Sequence, residues 1–211
     1  MKAAKKPVIS ARKSPRQRRS TQLVEDILEA ATRVLSREGA QRFTTARVAE
    51  AAGVSVGSLY QYFPNKEAIL FRLQTDEWQR TGELLHSILA DSSLAPLDRL
   101  RATVKAFFLS EWDEASLRIA LGDAALNYRE APEVQEHRKA GLQRSLRFLG
   151  EVLPNASTKE RRFAADVVMT TLSVVGKKVS EQSRSKAEVE AWSEAMGEML
   201  CAYLSRLMTG L

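Results

Sequence analysis

The sequence predicts an all-α fold, with a small N-terminal unit of three helices joined to a larger C-terminal helical bundle. Apolar residues recur at the helical period along most of the 211 residues, and no segment alternates apolar and polar residues as a half-buried strand would. A hydrophobic content of 44% and only six prolines are enough for one or two folded domains. We therefore expect helices throughout.

The first helix is expected from about residue 20 to residue 38. Leu23, Ile27, Ala31 and Val34 lie on one face of it, as in a helix that buries a single stripe. Gly39 follows as the expected C-terminal stop, because glycine is the residue that most readily takes the left-handed conformation there.

Residues 44–67 predict two short crossed helices followed by a longer one. Thr44 or Thr45 is expected to cap the second helix and Ser55 the third, while Gly53 occupies the turn between them. Pro64 disfavours helical geometry at the preceding residue and so ends the third helix. This is the pattern of a helix-turn-helix, which makes DNA binding the leading functional hypothesis.

The rest of the chain is divided by its prolines. Further helices are expected at about 66–90, 96–114, 116–130, 133–153, 158–182 and 186–209, the first of them capped by Asn65. Pro96, Pro132 and Pro154 lie at or near the joints, where proline is tolerated. The predicted domains are a basic arm at 1–19, a helix-turn-helix domain at 20–66 and a larger helical domain at 67–211.

The net charge of +6 is concentrated at the N-terminus. Eight of the 32 basic residues lie in the first 19 positions, which contain no acid, so 24 basic residues face 26 acidic ones in the remainder. Such an arm is expected to be disordered when free and to contact DNA phosphates. A solubilising tail is the plainer alternative, and attachment to an anionic membrane a weaker one.

Cysteine content and apolar runs favour a cytoplasmic location. Cys201 is the only cysteine and cannot form an internal disulfide. The longest apolar run, residues 167–175, is too short to cross a bilayer, and the basic N-terminus lacks the apolar core of a signal peptide.

The segment from Leu23 to Leu70 resembles the DNA-binding domain of the TetR family of bacterial transcriptional regulators. The residues that carry the resemblance are the first-helix face ending in Arg37-Glu38-Gly39, then Phe43-Thr44-Thr45, Val48-Ala49, Ala52-Gly53-Val54-Ser55 and Leu59-Tyr60-Gln61-Tyr62-Phe63 with Asn65-Lys66-Glu67. The resemblance implies a homodimeric, ligand-responsive repressor that acts on an inverted-repeat operator. We expect no catalytic role, no metal and no cofactor, and a small-molecule effector of unidentified chemistry.

Within this segment the third helix is expected to lie in the major groove. Gln61 is the candidate base reader, because its amide can pair bidentately with adenine. The resemblance adds Tyr60, Tyr62 and Lys66 as phosphate contacts, although one of the two tyrosines could belong to the core. Ala46 departs from the family, in which many members carry a long polar residue there. The full predicted DNA-binding set is Thr44, Thr45, Arg47, Ser55, Val56, Gly57, Ser58, Tyr60, Gln61, Tyr62 and Lys66.

The last two helices are expected to form a dimer interface. Their apolar arcs are wider than a one-sided surface helix needs, and Ser193 and Gly197 would allow another helix to approach. The alternative is that both helices form the centre of a monomeric bundle. The predicted interface residues are Phe163, Val167, Val174, Val189, Trp192, Met196, Met199 and Tyr203.

The family resemblance implies a ligand site, which we expect among the helices between residues 96 and 172. Its candidate residues combine apolar walls with a few polar groups, and each is also an ordinary core candidate. They are Phe107, Phe108, Trp112, Leu121, Asn127, Tyr128, Phe148, Met169 and Leu172. Arg118, Asp123 and His137 are candidates for charge complementarity.

Two other function classes are considered. A helical-bundle metalloenzyme is suggested by Glu83 and His86, which have the i, i+3 spacing of di-iron bundles, but His137 has no acid three positions before it. An architectural DNA binder without sequence preference would use the same arm and helix-turn-helix. No glycine-rich phosphate loop or paired-cysteine zinc motif occurs.

Overall fold

The computed structural model describes residues 18–121, 131–182 and 185–210. Within these ranges, side chains are described from residue 20 onward, except that of Leu121. Within these ranges the chain forms helices and no strand, which confirms the all-α prediction. The helices are α1 (Arg18–Glu38), α2 (Thr45–Ala51), α3 (Val56–Tyr62), α4 (Lys66–Ala90), α5 (Pro96–Asp113), α6 (Ala115–Leu121), α7 (Pro132–Val152), α8 (Thr158–Glu181) and α9 (Lys186–Gly210), with a 3₁₀ turn at Ala40–Arg42.

The helix ends follow the local signals in the sequence. Gly39 and Gly53 have positive φ of 74° and 67°, which glycine adopts without the cost that other residues incur. Asn65 caps α4 by accepting a hydrogen bond from the amide of Ala68 at 2.8 Å. α8 begins with a capping box, in which Ser157 and Glu160 satisfy each other's backbone amides.

The described chain divides into two compact units. The first holds residues 18–77, 116–121 and 131–134, and the second holds residues 78–115, 135–182 and 185–210. α4 contributes its first half to the first unit and its second half to the other. No helix in the described residues is both long and apolar enough to cross a membrane.

The first unit encloses a small core below α3. Ile27, Ala31 and Val34 of α1 are buried, as are Val48 and Ala49 of α2 and Leu59 of α3. Alanine at positions 31 and 49 lets α1, α2 and α3 approach closely, and α2 packs against both neighbours.

The second unit is built on α5, which packs against α8 and α9. Its core joins Leu100, Val104 and Phe108 of α5 to apolar residues of α7, α8 and α9. Arg99 is buried beside this core, where it donates to the carbonyl of Leu89 at 2.7 Å and pairs with Glu151. The guanidinium thereby holds the end of α4 and the end of α7 against α5.

Candidate DNA-binding surface

The helix-turn-helix presents α3 on the surface of the first unit, held from below by its apolar side. Leu59 is fully buried and Phe63 is 1% exposed, whereas Val56, Gly57, Tyr60 and Gln61 are exposed. Phe63 has φ −118° and ψ 115°, so the helix ends before Pro64 as predicted. The outward residues therefore occupy a short helix whose position is fixed by the core.

Caps determine where the two short helices begin. Thr44 caps α2 by accepting from the amide of Arg47 at 3.3 Å, which decides between the two predicted threonines. Ser55 caps α3 by accepting from the amide of Ser58 at 3.0 Å, and the two serine hydroxyls lie 2.8 Å apart. Ser58 is half-buried and its hydroxyl contacts that of Ser55, so it lies at the edge of the outward face of α3.

Tyr60 and Thr45 connect the exposed sides of α2 and α3. The Tyr60 hydroxyl lies 3.2 Å from Oγ1 of Thr45, within hydrogen-bonding distance. Both oxygens are on the solvent side, where a phosphate oxygen can also be bound by hydroxyl groups. The pair fixes the separation of the two helices at the surface, a role that the sequence analysis did not foresee because the residues are 15 positions apart.

Tyr62 does not share this exposure. Its side chain is buried at 6% exposure, against 39% for Tyr60, so Tyr62 is the tyrosine that belongs to the core, the alternative that the sequence left open for one of the two. The physical reason is the helical period: position 62 is three residues after Leu59 and points with it toward the core. Tyr60 lies on the side of α3 that faces outward.

Basic residues lie beside this surface, but one of them is already paired. Arg47 forms an ion pair with Glu38 at the end of α1, while Lys66 at the start of α4 is exposed. Arg33 donates to the carbonyl of Ala51 at 3.2 Å and so satisfies an end group of α2. The sequence analysis missed the contact of Glu38 with Arg47 and that of Arg33 with Ala51, since each joins two different helices and lacks the i, i+4 spacing of a pair along one helix. Ala46 is exposed, and residues 1–17 of the basic arm lie outside the described residues.

The predicted dimer residues separate into two groups. Phe163 and Val174 of α8 are 66% and 61% exposed, and Trp192 and Met199 of α9 are also exposed, with Val167 and Tyr203 half-buried between them. Val189 and Met196 are buried in the core of the single chain, so their assignment to the interface is wrong. The wide apolar arc of α9 arises because one side of the helix packs on α5.

Ser193 and Gly197 belong to that inner contact as well. Ser193 is buried, and a Cβ added at Gly197 would lie 3.6 Å from Cγ of Arg101 on α5. The helix that these small residues admit is thus α5 of the same chain, while Trp192 and Met199 on another side of α9 are exposed.

The predicted ligand residues are mostly core in the described structure. Phe108, Phe148 and Leu172 belong to the buried cluster of the second unit, and Phe107 and Trp112 pack against it. Phe107 fits against Gly176 of α8, where an added Cβ would lie 2.9 Å from its ring. Met169 is half-buried. Asn127, Tyr128 and Asp123, and the side chain of Leu121, lie outside the described residues.

The described residues considered for a metal site do not form a set of metal ligands. Glu83 accepts a hydrogen bond from Gln79 at 3.0 Å, and His137 stacks on Trp78 with ring centroids 4.9 Å apart. Within the described ranges no group of three or more candidate ligands comes together.

Comparison with known proteins identifies the family. Residues 27–73 match the family described as "Bacterial regulatory proteins, tetR family", and residues 95–207, more than half of the chain, match "Tetracyclin repressor-like, C-terminal domain". The chain belongs to the TetR family. The resemblance seen in the sequence is thereby confirmed, and it extends to the C-terminal bundle.

Curated relatives match part of this TetR-family chain. The nucleoid occlusion factor SlmA of Vibrio campbellii is 36% identical over 91 residues, which cover 34% of this chain and 46% of the relative. The SlmA protein of Glaesserella parasuis is 40% identical over 72 residues, covering 32% and 34%. The matched segments thus span between a third and half of these relatives.

Solved structures share the fold over most of the chain. A TetR/AcrR-family regulator from Thermobifida fusca has a TM-score of 0.67 at 17% identity and covers 85% of this chain and 97% of its own. The regulator FadR of Bacillus subtilis, solved in complex with stearoyl-CoA, has a TM-score of 0.61 at 20% identity and covers 89% and 98%. Both likenesses concern the fold.

Proposed function

We propose that this TetR-family protein is a sequence-specific DNA-binding transcriptional regulator, a ligand-responsive repressor that acts as a homodimer on an inverted-repeat operator. The observation that carries the proposal is the division of α3 into a buried side at Leu59 and Tyr62 and an outward side at Val56, Gly57 and Gln61. A helix of this length presented on a fixed core suits the major groove, where side chains read base edges.

The proposed contacts divide into positioning and reading. Thr44, Thr45, Tyr60 and Lys66 would hold the phosphate backbone, with Ser55 and Ser58 at the start of α3. Gln61 would read a base edge, and Val56 would contact a thymine methyl group. When the protein binds DNA, Arg47 would leave its ion pair with Glu38 and contact a phosphate. We assign residues 20–66 to DNA reading, residues 67–211 to dimerisation and ligand sensing, and the arm at 1–19 to phosphate attraction.

The dimer is proposed to use the outer stripes of α8 and α9. Phe163, Val167 and Val174 follow one side of α8, and Trp192, Met199 and Tyr203 follow one side of α9, at helical spacing. Exposed apolar stripes on adjacent helices favour a self-complementary four-helix interface across a twofold axis. Pairing also doubles the number of bases read, which a single short helix needs for selectivity.

Ligand response is proposed from the family and its neighbours. A regulator with the same fold binds stearoyl-CoA, which supports an effector site for a small molecule in the C-terminal bundle. We assign this protein a regulatory and not a catalytic role, and its proposed DNA partner supports a cytoplasmic location. An effector would act by favouring a spacing of the two α3 helices that does not fit the operator.

The test is selection of bound sequences from a pool of random duplexes with the full chain. The proposal predicts an inverted repeat whose half-sites are about one helical turn, or ~10 base pairs, apart, or a multiple of it. Recovery of sequences without any shared motif would contradict it and would favour the architectural alternative. Affinity for the selected duplex should exceed that for random duplexes by about 10³-fold or more.

A further inference from the structure

One face of α7 meets one face of α4 in the second unit. His137, Gly141 and Arg144 are spaced by four and three residues along α7 and therefore share a face, as do Trp78 and Gly82 on α4. The ring of His137 stacks on Trp78 with an interplanar angle of 19°. Two turns along, the guanidinium of Arg144 lies over the backbone of Gly82, where an added Cβ would be 3.3 Å from Nη2 and 3.6 Å from Nη1.

Gly82 has no role in a turn. It lies in the interior of α4, is buried, and does not have the positive φ of Gly39 and Gly53. A glycine at such a position weakens the helix relative to alanine, so its use calls for a gain elsewhere. The observed gain is space, because the missing Cβ lets a planar guanidinium lie directly on the helix.

Arg144 has no acidic partner among the described residues. Its guanidinium is half-buried and forms no ion pair there, and partial burial lowers its pKa with no carboxylate opposing the shift. The pKa of His137 is lowered by burial and then by Arg144 and Arg138. From residue 137 to residue 150, α7 contains four Lys or Arg residues and no acid.

A half-buried guanidinium without a counter-charge among the described residues is less favourable than one paired with an anion. Guanidinium is suited to carboxylate and phosphate because its planar donors match two oxygens at once. Two apolar side chains lie along the same faces: Trp78 stacks on His137, and Cε of Met169 on α8 would lie 3.4 Å from a Cβ added at Gly141.

We propose that Arg144 is the anion-binding end of a ligand site between α4 and α7, and that its ligand is an amphipathic molecule with a carboxylate or phosphate head and an apolar body. Arg144 binds the head, Gly82 provides the room for the guanidinium, and Trp78 and Met169 contact the body. The inference rests on the proposed function, since it names the chemical class of the effector.

Calorimetric titration of the full chain with octanoate, octyl phosphate and 1-octanol tests the site. Wild-type protein should bind at least one of the two anions, and R144Q should bind it about tenfold or more weakly, the usual loss when a hydrogen-bonded charge is removed. R147Q is the matched control, because Arg147 is exposed on the same helix and the same charge is removed. Whether octanoate or octyl phosphate binds more tightly distinguishes a carboxylate from a phosphate head.

G82A provides a second variant that retains every charge. Its new Cβ must displace the guanidinium by a few tenths of an ångström, so anion affinity should fall while the melting temperature stays level or rises. Equal anion binding by wild type, R144Q and R147Q, or no binding of either anion to wild type, would overturn the proposal. Affinity for the selected DNA, measured on the same samples without ligand, reports separately on the proposed function.

Discussion

Tyr60 and Tyr62 lie on opposite sides of the same short helix, although they are two positions apart. Tyr62 contributes its ring to the core, and Tyr60 contributes its hydroxyl to a contact with Thr45 on the surface. The same distinction separates Leu59 from Gln61. In α3 the fold and the proposed function therefore use different residues, and a substitution on the outer side can change DNA binding without unfolding the chain.

Gln61→Ala should lower affinity for the selected duplex by about 1–3 kcal/mol, the discrimination of one bidentate base contact, and leave affinity for random duplexes almost unchanged. Gln61 is exposed, so the free energy of unfolding should stay within about 0.5 kcal/mol of the wild-type value. Fluorescence anisotropy with both duplexes measures the two affinities. Gln143→Ala on the exposed side of α7 is the control, and an equal loss on both duplexes would make Gln61 a phosphate contact instead.

His137 should make stability depend on pH. Its pKa in the folded chain lies below the ordinary value of 6.5 because of burial and the nearby Arg144 and Arg138. As the pH falls through about 6.5, the unfolded chain therefore takes up a proton before the folded chain does, and stability decreases. His137→Phe keeps a ring against Trp78 and should remove this loss. Urea unfolding at several pH values between 5 and 8 measures it, and parallel curves for the two proteins would refute the assignment.

At the scale of single residues, the sequence predicted which kind of contact a side chain makes better than it predicted which residue that side chain contacts. The capping roles of Ser55 and Asn65 could be predicted because a cap depends on neighbours within three positions. The burial of Val189 and Met196 within one chain could not, because an apolar arc shows how much of a helix is covered and not which chain covers it. The stack of Trp78 on His137 joins residues 59 positions apart and leaves no local pattern.

The two short helices depend on glycines with different roles. Gly53 has φ 67° and nothing within 4 Å of an added Cβ, so Gly53→Ala should cost about 1–2 kcal/mol through backbone strain alone. Gly57 lies inside α3 with ordinary φ, and its Cβ would lie 3.7 Å from Oγ of Ser55. Gly57→Ala should therefore leave stability level or raise it by up to about 1 kcal/mol, while weakening DNA binding by blocking close approach.

Thermal unfolding and duplex binding of the two glycine variants form one experiment. The predicted pattern is a loss of stability for Gly53→Ala and a loss of DNA affinity for Gly57→Ala. If Gly57→Ala bound the selected duplex as tightly as the wild type, the N-terminal part of α3 would not approach DNA closely.

Helix boundaries were predicted well because prolines and caps act locally. α4 begins at Lys66 after Pro64 and Asn65, and α5 begins at Pro96, as expected for proline in a first turn. The helix expected at 116–130 is described only as far as Leu121, so its predicted end remains a prediction. How α5, α8 and α9 pack could not be predicted, since helical periodicity does not specify pairing.

At the scale of the whole molecule, exposed apolar side chains on α8 and α9 are the basis of the proposed dimer. Phe163→Glu combined with Met199→Glu should give a folded monomer, because both side chains are exposed in the single chain and a charge is costly in a desolvated interface. Sedimentation velocity measures the change in mass, and affinity for the inverted repeat should fall with it. Leu84→Glu, at an exposed leucine of α4, is the control that should remain dimeric.

The central claim is that the outward side of α3 enters the major groove, once in each subunit of a dimer. An iron chelate attached to Val56→Cys tests it, because Cys201 is buried and its thiol pKa is raised by burial, which leaves the introduced thiol as the reactive one. The account predicts two groups of strand cleavages placed symmetrically about the centre of the selected duplex. Cleavage no stronger than that from a chelate at Gln143→Cys on α7 would contradict it.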